Sequence, residues 1–147
     1  MYYFAYGSNM NPERMKERKV NFLERKKAIL RGWKLVFNKV SSKNPEEGYA
    51  NIVKDENSIV EGILYLIEDD SIKKLDGYEG YPEHYDRKEL EVELEDGSKV
   101  KAWVYIAQQD KVREGLKPSR EYLEHLLKGC DLLSEEYCEK LKNVKVL

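Results

Sequence analysis

A short polar segment, Gly7-Ser8-Asn9, follows the apolar run Tyr2 to Tyr6 near the start of the sequence. Gly7 permits the positive φ that a tight turn after a buried strand often needs. The next residues, Asn11 and Pro12, suit the N-cap and the first position of a short helix that we expect to end near residue 18. Backbone N–H groups in a loop at a helix start bind carboxylates and other anions, although an ordinary capped turn has the same pattern.

Glu79 is the second candidate, because it is next to Tyr78 and Gly80 in a segment rich in tyrosine. A carboxylate among aromatic rings is desolvated, which raises its pKa toward the range useful for general acid–base catalysis. A solvated loop glutamate that accepts a backbone N–H would have the same sequence context. The nearby Glu83 and His84 are expected to be surface residues.

Several other kinds of site have little support. Ser8 lacks the G-x-S-x-G pattern of a serine nucleophile, and His84 and His125 are the only histidines that could serve as its base. No phosphate-binding Walker loop or dinucleotide-binding fingerprint is present. Cys130 and Cys138 have neither C-x-x-C spacing nor a matching pair of histidines, so we expect no metal. Buried free thiols are the expectation for both cysteines, with a disulfide as the alternative.

Length and composition favour one globular domain over residues 1–147, with 41% hydrophobic residues and a net charge of −2. Charge is uneven, since residues 14–34 hold nine Lys or Arg and two Glu. We expect this run to form a solvated face, and an anion-binding or nucleic-acid-binding patch is the alternative. No apolar run has the length of a membrane span and no signal peptide precedes Met1, so we expect a cytoplasmic protein.

Alternating apolar residues predict five further strands after the first, and helical periodicity predicts three further helices. Gly62 marks a bulge or a close backbone approach inside one strand. In the C-terminal helices we expect Leu126, Leu127 and Leu141 to be buried. Strands first and helices mainly last indicate an α+β fold around a largely antiparallel, possibly barrel-like sheet. The predicted strands are Trp33 to Val40, Tyr49 to Val53, Ile59 to Ile67, Arg87 to Glu95 and Val100 to Ala107, and the helices are Glu68 to Leu75 (ended by Gly77), Pro118 to Gly129 and one after Ser134.

Six segments in this order resemble the γ-glutamylcyclotransferase family, across nearly the whole chain. The most specific pair is the Tyr-Gly-Ser-Asn opening and a glutamate in a Leu-Asp-x-x-Glu-Gly context. The segments are Tyr6 to Met10, Ala50 to Ile52, Val60 to Tyr65, Leu75 to Gly80, Val104-Tyr105 and Pro118-Ser119-x-x-Tyr122.

The resemblance implies a small mixed, largely antiparallel β-barrel flanked by helices. It implies that Glu79 is the acid/base residue of an enzyme that cyclises a γ-glutamyl amide to 5-oxoproline and releases an amine or amino acid. It further implies a substrate-binding set of Tyr6, Gly7, Ser8, Asn9, Met10, Tyr105 and Tyr122.

The implied reaction needs no cofactor or metal, and the expected partner is a small γ-glutamyl molecule rather than nucleic acid or a membrane. From pattern alone, Tyr105 and Tyr122 are half-buried packing residues whose hydroxyls seek partners. The alternative function is a non-catalytic domain that binds a small molecule or anion in the same barrel and pocket.

Overall fold

A computed structural model describes residues 1–147 and contains five strands and four α-helices. The strands are β1 (Tyr2–Ala5), β2 (Phe22–Val40), β3 (Gly48–Ile67), β4 (Tyr85–Glu93) and β5 (Lys99–Ala107). The helices are α1 (Pro12–Glu17), α2 (Ile72–Glu79), α3 (Arg120–Leu127) and α4 (Glu135–Lys142), with 3₁₀ turns at Ser8–Met10, Asp69–Ser71 and Gln109–Lys111. None of the helices is long and apolar enough to cross a membrane.

The strands close into a barrel in the order β1-β3-β2-β4-β5. Closure comes from β1, which pairs antiparallel with β3 and parallel with β5 through Tyr3 and Trp103. The remaining strand pairs are antiparallel. The α+β prediction of a mixed, largely antiparallel barrel flanked by helices is therefore confirmed.

Two apolar clusters follow from the alternation of side chains along the strands. One contains residues from all five strands, among them Phe4, Leu30, Val60 and Val104, and fills the barrel. The other joins the opposite faces of the strands to the helices, and includes Tyr65 of β3. The helices thus cover the outer surface of part of the barrel.

Both long strands differ from the predictions. β2 begins at Phe22 rather than at Trp33, and β3 is one strand where two were predicted. A register shift interrupts the pairing of β2 with β3 where the prediction placed a break, and there the Asp55 carboxylate accepts hydrogen bonds from Asn57 N and Ser58 Oγ. The polar residues at this irregularity within β3 therefore led to the prediction of a loop between two strands.

The second helix also extends further than predicted. It continues through Gly77 and ends at Glu79, where Gly80 takes the left-handed conformation (φ 68°) as the C-cap. Gly80 is therefore the stop signal, since a left-handed residue after the last turn favours glycine. Glu79 consequently belongs to the last turn of a helix rather than to a loop.

Two local expectations concern Gly62 and the cysteines. The close approach predicted for Gly62 is confirmed, because a Cβ there would lie 2.5 Å from the carbonyl oxygen of Ala5. The expectation of free thiols is wrong, since Cys130 and Cys138 form a disulfide with their Cα atoms 5.9 Å apart. The seven residues between them include the chain reversal from α3 to α4, which brings the two side chains together.

The predicted helix starts in the C-terminal region are confirmed, with Ser119 and Ser134 capping α3 and α4 through their hydroxyls. Leu126 and Leu141 are buried in the cluster beneath these helices. Leu127 is only half-buried, which contradicts the prediction for that residue.

Replacing Leu126 by alanine should lower the free energy of unfolding by about 2–5 kcal/mol, because its side chain is fully buried and a cavity would remain. Leu23→Ala is the control, since Leu23 is 78% exposed and should change stability by less than about 0.5 kcal/mol. Urea denaturation measures both values. Equal stability of the two variants would contradict the packing of α3 against the barrel.

Candidate active site

A cavity of about 380 Å³ opens where β1 runs into the Gly7-Ser8-Asn9 segment. The structure brings this segment and Glu79 together around the same cavity. The lining is rich in aromatic and cationic side chains, and Glu79 is its one carboxylate. Residues from β1, the following turn, α1, α2, the end of β2, the start of β3 and α3 all contribute to it.

The three residues of the polar segment line this cavity. None of the turn and loop hydrogen bonds of the backbone uses the N–H groups of Gly7, Ser8 or Asn9 as donors. The carbonyls that follow are bonded from the core side, where the Tyr65 hydroxyl donates to Asn9 O (2.7 Å) and Arg25 Nη2 donates to Met10 O (3.2 Å). These hydrogen bonds fix the segment through its carbonyls, and its N–H donors remain available to an anion.

Gly7 is needed for space rather than for its backbone angles. Its φ is −115°, so the positive φ expected from the sequence is not used. A Cβ at this position would lie 3.1 Å from Ala50 Cβ and 3.3 Å from the Tyr122 hydroxyl. A side chain here would press against the cavity wall.

Glu79 is half-buried at the end of α2. Burial raises the pKa of its carboxyl above the ordinary value, while Arg18, Arg14 and Lys39 act in the opposite direction. The three cations limit the rise that desolvation alone would give. The carboxylate therefore has a larger proton affinity than a surface glutamate.

Two arginines belong to the cavity wall, Arg14 in α1 and Arg18 at its C-cap. Arg18 Nη1 donates to Asn9 Oδ1 (3.0 Å), and its guanidinium lies 4.8 Å from the ring centroid of Tyr78. Arg14 Nη1 is 3.2 Å from His125 Nε2. The basic run therefore does not form a solvated face throughout, because these two side chains face the cavity.

The predicted tyrosines line the cavity, and their hydroxyls form hydrogen bonds with neighbouring residues. Tyr6 donates to the carbonyl of Tyr105 (2.6 Å), and Tyr105 donates to Asp76 Oδ1 (2.7 Å). Arg87 holds the same carboxylate through both oxygens, at 2.8 and 3.2 Å. Tyr122 accepts the N–H of Ala50 (3.0 Å), so its own O–H is still free to donate.

Two residues are not where the sequence placed them. Met10 does not line the cavity, because its fully buried side chain packs into the cluster beneath the helices. There it closely approaches Gly129, whose added Cβ would lie 3.0 Å from Met10 Cβ. His84 is half-buried and lines the cavity instead of lying on the surface, whereas Glu83 is exposed as expected.

Comparison with known proteins gives a match over residues 3–124 to the family described as "Gamma-glutamyl cyclotransferase, AIG2-like". The chain belongs to this family. The mouse gamma-glutamylcyclotransferase is 30% identical over 149 residues, covering 97% of this chain and 78% of the mouse protein. A solved structure named gamma-glutamyl cyclotransferase has a TM-score of 0.87 and 27% identity, covering 100% of this chain and 89% of that chain.

A third relative, from Methanocaldococcus jannaschii and provisionally named for the same activity, is 30% identical over 63 residues. That match covers 40% of this chain and 52% of the relative, so it spans about half of that protein's length.

In this gamma-glutamyl cyclotransferase family member, sequence reasoning missed several residues of the cavity wall. The sequence does contain a signal that Arg14 and Arg18 lie at the cavity. Residues four apart lie on one face of a helix, and this helix begins directly after the polar segment. The sequence contains no such signal for Tyr3, Tyr85 and Lys39, because their positions in the cavity wall depend on how distant strands meet in the closed barrel.

The raised pKa of Glu79 predicts a change in stability when this residue becomes glutamine. Between the ordinary glutamate pKa and the raised one, the folded protein holds a proton that the unfolded chain has lost, so stability falls as pH rises through that range. Each unit of increase in the pKa corresponds to about 1.4 kcal/mol.

Glu79→Gln should therefore raise the melting temperature at pH 7, and the difference should vanish below about pH 4, the ordinary glutamate range. Thermal unfolding between pH 3 and pH 8 measures this, with exposed Glu83→Gln as the matched control. A lower melting temperature for Glu79→Gln at pH 7 would show that the three cations outweigh the burial.

Proposed function

We propose that this protein converts a γ-glutamyl amide into 5-oxoproline and a free amine, with Glu79 as the general acid and base. The observation that carries the proposal is the half-buried Glu79 carboxylate in the same cavity as the three free amide groups of Gly7, Ser8 and Asn9. Membership of the cyclotransferase family supports it.

The reaction is an intramolecular aminolysis. The α-amino nitrogen of the γ-glutamyl group attacks its own γ-carbonyl carbon, forming the ring C–N bond of 5-oxoproline. The original amide C–N bond then breaks and releases the amine. The substrate must bend from an extended shape for this attack, so a wall that holds it in the bent form supplies much of the rate.

Glu79 carries the proton that this sequence of steps requires. The α-ammonium must lose a proton before it can attack, and the ionised carboxylate accepts it. The leaving nitrogen must gain a proton before the amide bond breaks, and the protonated carboxyl returns it. The attacking nitrogen loses its second proton once the ring C–N bond has formed, and the released amine takes up a proton to become an ammonium. The raised pKa favours the first transfer, because the carboxylate accepts a proton more readily than a solvated glutamate does.

The free amides of the Gly7-Ser8-Asn9 segment suit the negative charge of the substrate. An N–H donor aimed at the substrate carboxylate orients the γ-glutamyl group, and one aimed at the γ-carbonyl stabilises the oxyanion formed during attack. Arg14 and Arg18 add positive charge at this end of the cavity. The Tyr122 hydroxyl, which lies beside Gly7, is a further donor.

Glu79→Gln should reduce 5-oxoproline release by about 10²- to 10⁴-fold, because glutamine keeps the size of the side chain but cannot accept the proton. Substrate affinity should change little, so the loss should fall on kcat rather than on KM. The assay is 5-oxoproline formation from a panel of γ-glutamyl dipeptides and γ-glutamylamines.

Glu83→Gln is the matched control and should retain wild-type turnover, because Glu83 is exposed four residues further along the chain. Near wild-type activity of Glu79→Gln would show that another group transfers the proton. A wild-type protein that binds the panel but releases no 5-oxoproline would favour the non-catalytic binding function.

A further inference from the structure

Lys39 is a buried lysine that forms no ion pair. The residue is 3% exposed, yet its ammonium makes no salt bridge with any carboxylate of the chain. Its Nζ donates to the carbonyl of Val40 (2.8 Å), which uses one of its three donors. Lysine is rarely buried without a paired anion, because desolvating the ammonium is unfavourable. The two remaining donors of Nζ are therefore available to an anionic group of a ligand.

The unpaired ammonium lines the cavity that contains Glu79. It lies 5.7 Å from the ring centroids of both Tyr49 and Tyr85. A register shift in β2 between Val36 and Lys39 marks an irregularity just before it. Such bulges re-aim side chains beside functional sites, and they do so at the expense of regular pairing.

Positive charge is brought to the cavity wall by two different parts of the chain. Arg14 and Arg18 come from α1 and its C-cap, where they contact His125 and Asn9 beside the free amides. Lys39 comes from the end of β2 and is followed by the exposed residues Ser42 and Lys43, which also line the cavity.

A γ-glutamyl amino acid carries two carboxylates, one on the γ-glutamyl group and one on the amino acid that leaves. A γ-glutamylamine carries only the first. The free amides and the two arginines match the first carboxylate, which has to be held for cyclisation. Lys39 matches the second, because an ammonium with spare donors can bind a carboxylate.

We propose that Lys39 binds a carboxylate on the leaving amine and so selects γ-glutamyl amino acids over γ-glutamylamines. This inference rests on the proposed cyclisation, because it assigns the two ends of the same substrate to the two cationic parts of the wall. Lys39 is accordingly a specificity residue, and the proton transfers remain with Glu79.

The test compares γ-glutamyl-L-alanine with γ-glutamylethylamide, which lacks only the carboxylate of the leaving amine. Lys39→Met should reduce the ratio of their kcat/KM values by about 10- to 100-fold, the range expected for one charged hydrogen bond. The ratio cancels any effect of Lys39 on the pKa of Glu79, because both substrates use the same carboxyl. Lys34→Met is the control, since Lys34 is exposed on the same strand and should leave the ratio unchanged.

Lys39→Gln is the second variant, because glutamine can still donate to the Val40 carbonyl if Lys39→Met does not fold. A binding measurement separates this inference from the proposed reaction. Calorimetry on Glu79→Gln, with and without Lys39→Met, should show the same loss of preference for γ-glutamyl-L-alanine as a ratio of Kd values.

An unchanged ratio in turnover and in binding would overturn the role of Lys39, whatever the rate of cyclisation. A Lys39-dependent ratio in binding, without 5-oxoproline from either compound in the wild type, would support the carboxylate site and overturn the proposed reaction.

Discussion

The arrangement of the cavity depends on one constraint, which is the partial burial of the Glu79 carboxylate. Desolvation alone would favour the protonated form and leave little base at neutral pH. Three cations oppose this effect, from α1, its C-cap and β2, and none of them forms a close ion pair with the carboxylate. Proton affinity is therefore raised without being fixed by a direct contact, which leaves the carboxylate open to a ligand.

A carboxylate without a close ion pair requires cavity walls whose side chains do not close in and contact it. Tyrosine hydroxyls meet that requirement, because they bond the backbone around the cavity instead of Glu79. Tyr6 and Tyr85 donate to the carbonyls of Tyr105 and Ala50, and Tyr65 donates to that of Asn9. Large rings keep the space open while their polar ends satisfy buried backbone groups that would otherwise be unpaired. The Gly7-Ser8-Asn9 segment lines the space that these rings keep open.

Much of the fold could be predicted from the sequence, because its signals are local. Asn11, Ser119 and Ser134 cap α1, α3 and α4 as their types indicate. The errors occur where tertiary structure overrides a local signal. Gly77 was expected to end α2, yet the helix continues until the left-handed Gly80, and this shift moves Glu79 from a loop to the last helical turn.

The site was predictable only as far as its residues are close in sequence or chemically unusual. The polar segment and Glu79 are of this kind, and both reach the cavity. Met10 continues the same segment but turns into the core, since the 3₁₀ turn at Ser8–Met10 rotates successive side chains away from one another. Lys39 could not be predicted, because the irregularity before it breaks the alternation from which a strand's inner face is inferred. Its surroundings exist only once the barrel is closed, when Tyr49 of β3 and Tyr85 of β4 each bring a ring centroid to 5.7 Å from its ammonium.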